Sequence, residues 1–274
     1  MNFHSAYKGI VKDLAEPDYR SDPALSTSDL KLMGDTPKAF YARRKKLHAE
    51  KRTQAMELGI LFHLYALERN AWDEQVVVCP DEYTDRRKGE SKKWWARFDG
   101  TKTKIIRETE LQAIKSMHAA YVELPGVKEA LLRGPQSEVS AFFRGLVEGV
   151  DVKCRVDILA GDTVVDIKTT AKGGSTPRAF LRKCRELRYD WQQSNYTRIL
   201  SKCGVEVKRW IWAVVETSPP YDCAAYELAE ADVAAADEEV VEAYRKLRSC
   251  IKLDSWPSHT PTQPLTLSRF GTNR

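Results

Sequence analysis

The chain has 274 residues, 42% of them hydrophobic and 30% charged, with a net charge of +5 and a pI near 8.8. That is enough apolar material for one large core or two small ones, and the charge excludes an acidic chain while stopping just short of the level that announces a nucleic-acid binder. No apolar run approaches the ~18 residues of a membrane span and the start M-N-F-H-S-A-Y-K-G lacks a secretory h-region, so a cytoplasmic protein with no membrane partner is expected.

In chain order, helices are predicted at residues 27–34 and 37–50. Ser26 or Ser28 is a natural N-cap with Asp29 in the first turn, and Pro37 is a natural first helical residue after Thr36. A third helix over 54–70 contains M-E-L-G-I-L-F-H-L-Y-A-L-E, whose Leu58, Leu61, Phe62, Tyr65 and Ala66 recur at helical spacing. His63 follows Gly59 by four residues, so both share a side, and the missing side chain lets another backbone or a nucleic acid come close. Residues 80–104 read as a polar, charged connection interrupted by Trp94 and Trp95, which could wedge or stack bases or pack into the protein. Helices over 108–123 and 125–132 follow, then a strand over 137–145 that begins at Glu138.

Residues 150–159 and 163–169 alternate at strand period and are joined by the turn-prone Gly161–Asp162, the signature of a hairpin. Asp157 shares a face with Lys153 and Arg155, and Asp166 with Lys168. Two carboxylates and a lysine on one sheet favour a hard divalent cation and a water aimed at a phosphate. Helices over 176–187 and 190–203, strands over 206–216 and 222–228 and a helix over 230–252 complete the chain. On the second of these helices Gln192 and Tyr196, four apart, project together. The sum is an α/β fold, a mixed central sheet flanked by helices. A single domain is expected over 1–255, helical to about 135 and then sheet core, with an extended tail over 256–274.

Charge and cysteines add to this. Basic runs at Arg43–Lys46, Arg86–Lys93 and Arg178–Arg188 lie beside these motifs in sequence and suit a phosphate-tracking surface. The six cysteines are scattered, with no zinc spacing and no grouped ligands for an iron–sulfur cluster.

Asp157 on one strand and D-I-K on the next, with G-x-x-x-H before them and Q-x-x-x-Y after, resembles the RecB-like branch of the PD-(D/E)xK nucleases. The opening D-Y-R-S-D-P-A-L-S-T-S-D-L-K-L-M-G-D-T-P-K-A-F-Y is similar to that of RecE-type exodeoxyribonucleases, such as exonuclease VIII of lambdoid prophages. The resemblance implies a restriction-endonuclease-like core and a Mg²⁺ centre, with Mn²⁺ as substitute. Asp157, Asp166 and Lys168 would be catalytic. His63, Asp157, Asp166, the Ile167 carbonyl and Glu138 would hold metal. Gln192 and Tyr196 would grip DNA, and Arg155, Trp94 and Trp95 could join them. It further implies 5′→3′ digestion of linear double-stranded DNA ends to leave 3′ tails, a ring-shaped homo-oligomer of three or four subunits, and a single-strand annealing, RecT-like partner in recombination. An endonuclease, a single-strand exonuclease of different polarity and a non-catalytic DNA-binding module stay open as alternatives.

Overall fold

The N-terminal caps form as the sequence predicts. In the computed structural model, which describes residues 1–46, 54–147 and 149–259, β1 (Gly9–Val11), α1 (Glu16–Ser21) and β2 (Leu25–Ser26) precede α2 (Thr27–Asp35) and α3 (Pro37–Arg44). The Ser26 hydroxyl accepts from the Asp29 amide at 3.1 Å and Thr36 Oγ1 from the Ala39 amide at 3.0 Å, satisfying donors that have no partner inside the helix. Residues 47–50 of the helix predicted to follow Pro37 lie outside the described residues, as does the tail beyond residue 259.

Next come α4 (Gln54–Leu67), α5 (Arg69–Gln75), β3 (Val76–Cys79), α6 (Gly89–Ala96), β4 (Lys104–Arg107), α7 (Glu108–Val122) and α8 (Pro125–Leu132). Here the expectation of a polar connection over 80–104 is corrected. A 3₁₀ turn at Asp81–Tyr83 and α6 fill it, and β3 and β4 pair in parallel at its base. Trp94 is buried, stacked on Tyr83 with centroids 5.6 Å apart. Trp95 donates its indole N–H to the Tyr83 carbonyl at 2.9 Å beneath the Arg86 guanidinium. Both tryptophans therefore hold this excursion together, and neither stands free as a base wedge.

The remaining elements are β5 (Gln136–Val147), β6 (Val150–Ala160), β7 (Thr163–Thr170), α9 (Pro177–Leu187), α10 (Tyr189–Lys202), β8 (Arg209–Glu216), β9 (Cys223–Tyr226) and α11 (Glu230–Leu253). The main sheet runs β1-β5-β6-β7-β8-β9, with β2 added in parallel to β6. It is mixed, since β7 and β8 are parallel and the other neighbours along that path antiparallel.

Alternation along β8 fixes the layers. Trp210, Trp212 and Val214 enter one core with α2, α3, α10 and α11, while Ile211, Ala213 and Val215 enter the other with α4, α7 and α8. A strand buried on both faces is what a central parallel pair requires. The α/β expectation, a mixed sheet flanked by helices, is met.

Candidate active site

The predicted hairpin exists but is short. β6 and β7 pair at Ile158 with Val165, Leu159 with Val164 and Ala160 with Thr163, and pairing stops one residue before Asp157 and Asp166 would face each other. Beyond that point β7 stays with β8 as far as Thr170, while β6 is held by β5 and β2. Even-numbered Val152, Cys154 and Val156 lie in one core and even-numbered Ile158 and Ala160 in the other, so β6 also rolls over at Asp157. The two strands thus fork, and each carboxylate stands at the crotch. The Ile167 amide, left without a strand partner, donates to Asp157 Oδ2 at 2.6 Å.

Helix α4 lies against this fork because Gly59 allows it. A Cβ there would sit 2.6 Å from Thr169 Oγ1 on β7, so the missing side chain admits β7 itself. One turn on, His63 Nδ1 reaches to 3.9 Å from Asp157 Oδ2. Burial, reinforced by the Lys168 charge, lowers the imidazole to about 4, against the opposing pull of Asp166 and the Ile167 backbone. At neutral pH the ring is therefore uncharged, with a lone pair to offer rather than an ion pair to make.

Glu138 faces Asp157 across the β5–β6 ladder with a left-handed backbone, φ +51°. That conformation is costly for a glutamate and persists only when its surroundings impose it. Burial and then the Asp157 charge raise its carboxyl to about 8, against Arg155, whose guanidinium is 3.7 Å away. One ligand atom each from His63, Glu138 and Asp157 lie within 4.8 Å of one another, a nitrogen-and-oxygen set suited to a divalent cation.

Asp166 stands outside that trio. It is 1% exposed, its Oδ2 accepts from Gln192 Nε2 at 2.6 Å, and its Oδ1 pairs with the Lys168 ammonium. Burial raises its carboxyl to about 6, with Lys168 opposing and Asp157 reinforcing the rise. Asp157 is likewise raised by burial, against Lys168 and the Ile167 amide. Burial works against the charge of Lys168, but Asp166 and Asp157 outweigh it and hold the side chain above the ordinary lysine value. Lys168 is thus an ammonium, able to orient a water or neutralise a phosphate but not to accept a proton.

The other predicted residues separate. Gln192 joins the centre through Asp166. Tyr196 packs against the core beside Trp210, ring centroids 6.0 Å apart, with its phenol pushed well up by burial. Arg155 donates to Ser140 Oγ at 2.8 Å and the Leu14 carbonyl at 2.7 Å over the Tyr19 ring, so it braces Glu138 from within. Lys31, which closes the S-T-S-D-L-K motif, caps the Leu187 carbonyl with its ammonium at 2.7 Å, and the sequence gives no role to the Tyr189 and Trp212 rings, which lie 4.9 and 5.1 Å from Lys168 Nζ.

Glu216 is a further omission, although an acid ending the otherwise apolar run W-I-W-A-V-V is a visible signal. It is 1% exposed and accepts from the Ser175 amide at 3.1 Å and hydroxyl at 2.7 Å, pinning the loop that follows β7. Glu216→Ala strands two buried donors, so a loss of about 1–3 kcal/mol is expected, read as a lower urea midpoint.

The PDDEXK-like domain of unknown function DUF3799 matches residues 26–262. No curated protein matches the chain. Among solved structures, the crystal structure of the "Putative exonuclease" from Eubacterium rectale is similar in fold, with a TM-score of 0.61 and 15% identity over 96% of this chain and 100% of that one. Among the described residues, no helix is long and apolar enough to cross a membrane. The forked strands, the D-x-K lysine and a family model that spans most of the sequence converge, and the chain belongs to the PDDEXK-like DUF3799 family within the PD-(D/E)xK nuclease superfamily.

Proposed function

We propose that this chain is a metal-dependent exodeoxyribonuclease that digests linear double-stranded DNA 5′→3′ and leaves 3′ single-stranded tails. The observation that carries the proposal is the fork, where Asp157, Asp166 and Lys168 converge with His63 and Glu138. His63, Glu138 and Asp157 would hold a divalent cation, Mg²⁺ by the hardness of two carboxylates, and it would supply Lewis acidity toward a phosphoryl oxygen. Lys168 orients the attacking water and offsets charge developing on the phosphate. Asp166 fixes Lys168, and Gln192 fixes Asp166. The exonuclease mode, the polarity, a trimeric or tetrameric ring and a RecT-like annealing partner rest on the resemblance of the N-terminal motifs.

The test is the pure protein with Mg²⁺ or Mn²⁺ on linear and on closed circular duplex. Loss of the linear form alone, with a 5′ label released before a 3′ label, supports the proposal. Cutting of the circle points to an endonuclease, and no cutting removes the nuclease assignment. Light scattering at micromolar concentration should give a mass of three or four subunits; a monomer removes the ring.

Metal binding should depend on pH. Glu138 at about 8 and Asp166 at about 6 are both raised, so the folded chain holds protons that the unfolded chain releases. Stability contributed by these protons is present at low pH and is lost as pH rises through the folded values. A cation held by Glu138 competes with the Glu138 proton, so its affinity should rise from pH 6 to 8, with proton release on binding below about 8. Calorimetry in two buffers of different ionisation enthalpy reads that release, and a pH-independent affinity would contradict it.

A further inference from the structure

A cavity of about 310 Å³ opens beside Lys168, between the end of β7 and the helices α9 and α10. Tyr189 is its aromatic wall, with the buried Phe180 also in its lining, Thr170 and Gly174 lie along the strand side, and Leu187 and Lys183 stand at the rim. Leu187 is 46% exposed, an apolar side chain left in solvent at the edge of a reactive centre. The Tyr189 ring is braced from behind by Trp212, stacked 19° from parallel with centroids 5.2 Å apart, so the wall is rigid. Lys168 Nζ lies 4.9 Å from the same ring, which joins the cavity directly to the ammonium of the site.

Charge around the cavity is cationic. Among the described residues Lys183 has an exposed pairing with Glu186 at 3.3 Å, a contact of little energy that a phosphate can replace. Arg178, Arg182 and Arg185 lie exposed elsewhere on α9, Arg182 pairing with Glu186 at 3.8 Å. Aromatic walls with lysines at the rim suit a π-faced, anionic ligand. The volume stands at the low end of small-molecule pockets, about 300–1,000 Å³, which suits one nucleotide rather than a length of strand.

We infer that this cavity is a base subsite, taking the unstacked base of the nucleotide next to the scissile phosphate while Lys183 meets the adjoining phosphate. The inference rests on the nuclease proposal above. Stacking a base on an aromatic wall reads no hydrogen-bonding edge, so every nucleotide is accepted in turn, as digestion of arbitrary sequence requires.

The experiment uses linear duplexes with one internal abasic residue, digested with Mg²⁺ and resolved on sequencing gels. The wild type should pause where the abasic residue enters the subsite, that step slowing by about thirtyfold, a mid-range loss for one base–aromatic stack. Leu187→Glu, at an exposed position outside the metal and lysine cluster, should slow digestion everywhere by a similar factor and abolish the pause. Passage of the wild type through the abasic position without delay overturns the subsite and leaves the nuclease intact. If the wild type cuts no DNA, the nuclease proposal fails by itself. Calorimetry then decides the subsite, with thymidine 5′-monophosphate against deoxyribose 5-phosphate. A preference for the nucleotide that Leu187→Glu removes sustains it, and equal binding ends it.

Discussion

Asp166→Asn and Lys168→Met should each lower the cleavage rate on linear duplex by about a thousandfold or more, a loss of several kcal/mol in transition-state stabilisation. Alanine is the poorer choice at both positions, because neither residue is a surface group whose removal leaves the fold untouched. Asp166 is 1% exposed and holds Gln192, so alanine would strand a buried amide as well as a lysine. Asparagine keeps the shape and an oxygen for Gln192 while removing the charge that opposes Lys168. Methionine keeps the apolar stem against Tyr189 and Trp212 while removing the ammonium. Melting temperatures within a few degrees of wild type, with cleavage lost, support the assigned roles. Cleavage at the wild-type rate in either variant, with metal present, sinks them.

Gly59→Ala should reduce activity by about a hundredfold, since a displacement near 1 Å at a reacting group is enough for that loss. An alanine inside a helix normally gains about 1 kcal/mol over glycine, but here its Cβ would sit 2.6 Å from Thr169 Oγ1. Overpacking of this kind costs about 1–3 kcal/mol, so the clash outweighs the propensity and α4 moves away from β7, carrying His63 from Asp157. The neighbour is a short, β-branched side chain, stiff at χ1, on a central strand. Thr169→Ala removes the offending oxygen. The double variant Gly59→Ala/Thr169→Ala should therefore regain stability and most activity, whereas Thr169→Ala alone changes little. If the double variant is no better than Gly59→Ala, the close approach is not what places His63.

How much of this was legible in the sequence depends on where each interaction is encoded. The caps at Ser26 and Thr36, the periodicity of α4 and the alternation of β7 are local patterns, and all appear where the sequence puts them. Strands β1, β2, β3 and β4 have only two to four residues and no period of their own. Their partners lie well away along the chain, Leu25 against Val152 for example, and a sequence window cannot see the pairing. The site divides in the same way. Asp157, Asp166, Lys168 and His63 are picked out by motifs whose meaning comes from a family resemblance, whereas the fork that separates the carboxylates depends on competition among β2, β5 and β8 for two strands. For Arg155 and the tryptophans the sequence leaves DNA contact and internal packing open, because charge and aromaticity serve both, while the Leu14 carbonyl, Ser140 and Tyr83 that engage them come from elsewhere in the fold.

The Ile167 amide, bound to a carboxylate where a strand carbonyl would ordinarily receive it, makes the reactive centre observable without a substrate. Its proton senses the electron density on Asp157 through one short contact, so anything that draws on that carboxylate, a proton or a cation, should move the amide resonance and its solvent-exchange rate while neighbouring β7 amides, locked to β8, stay still. A single backbone signal in an isotope-labelled sample thus becomes an occupancy gauge for the fork, readable in the cold and in inactive variants, where turnover says nothing.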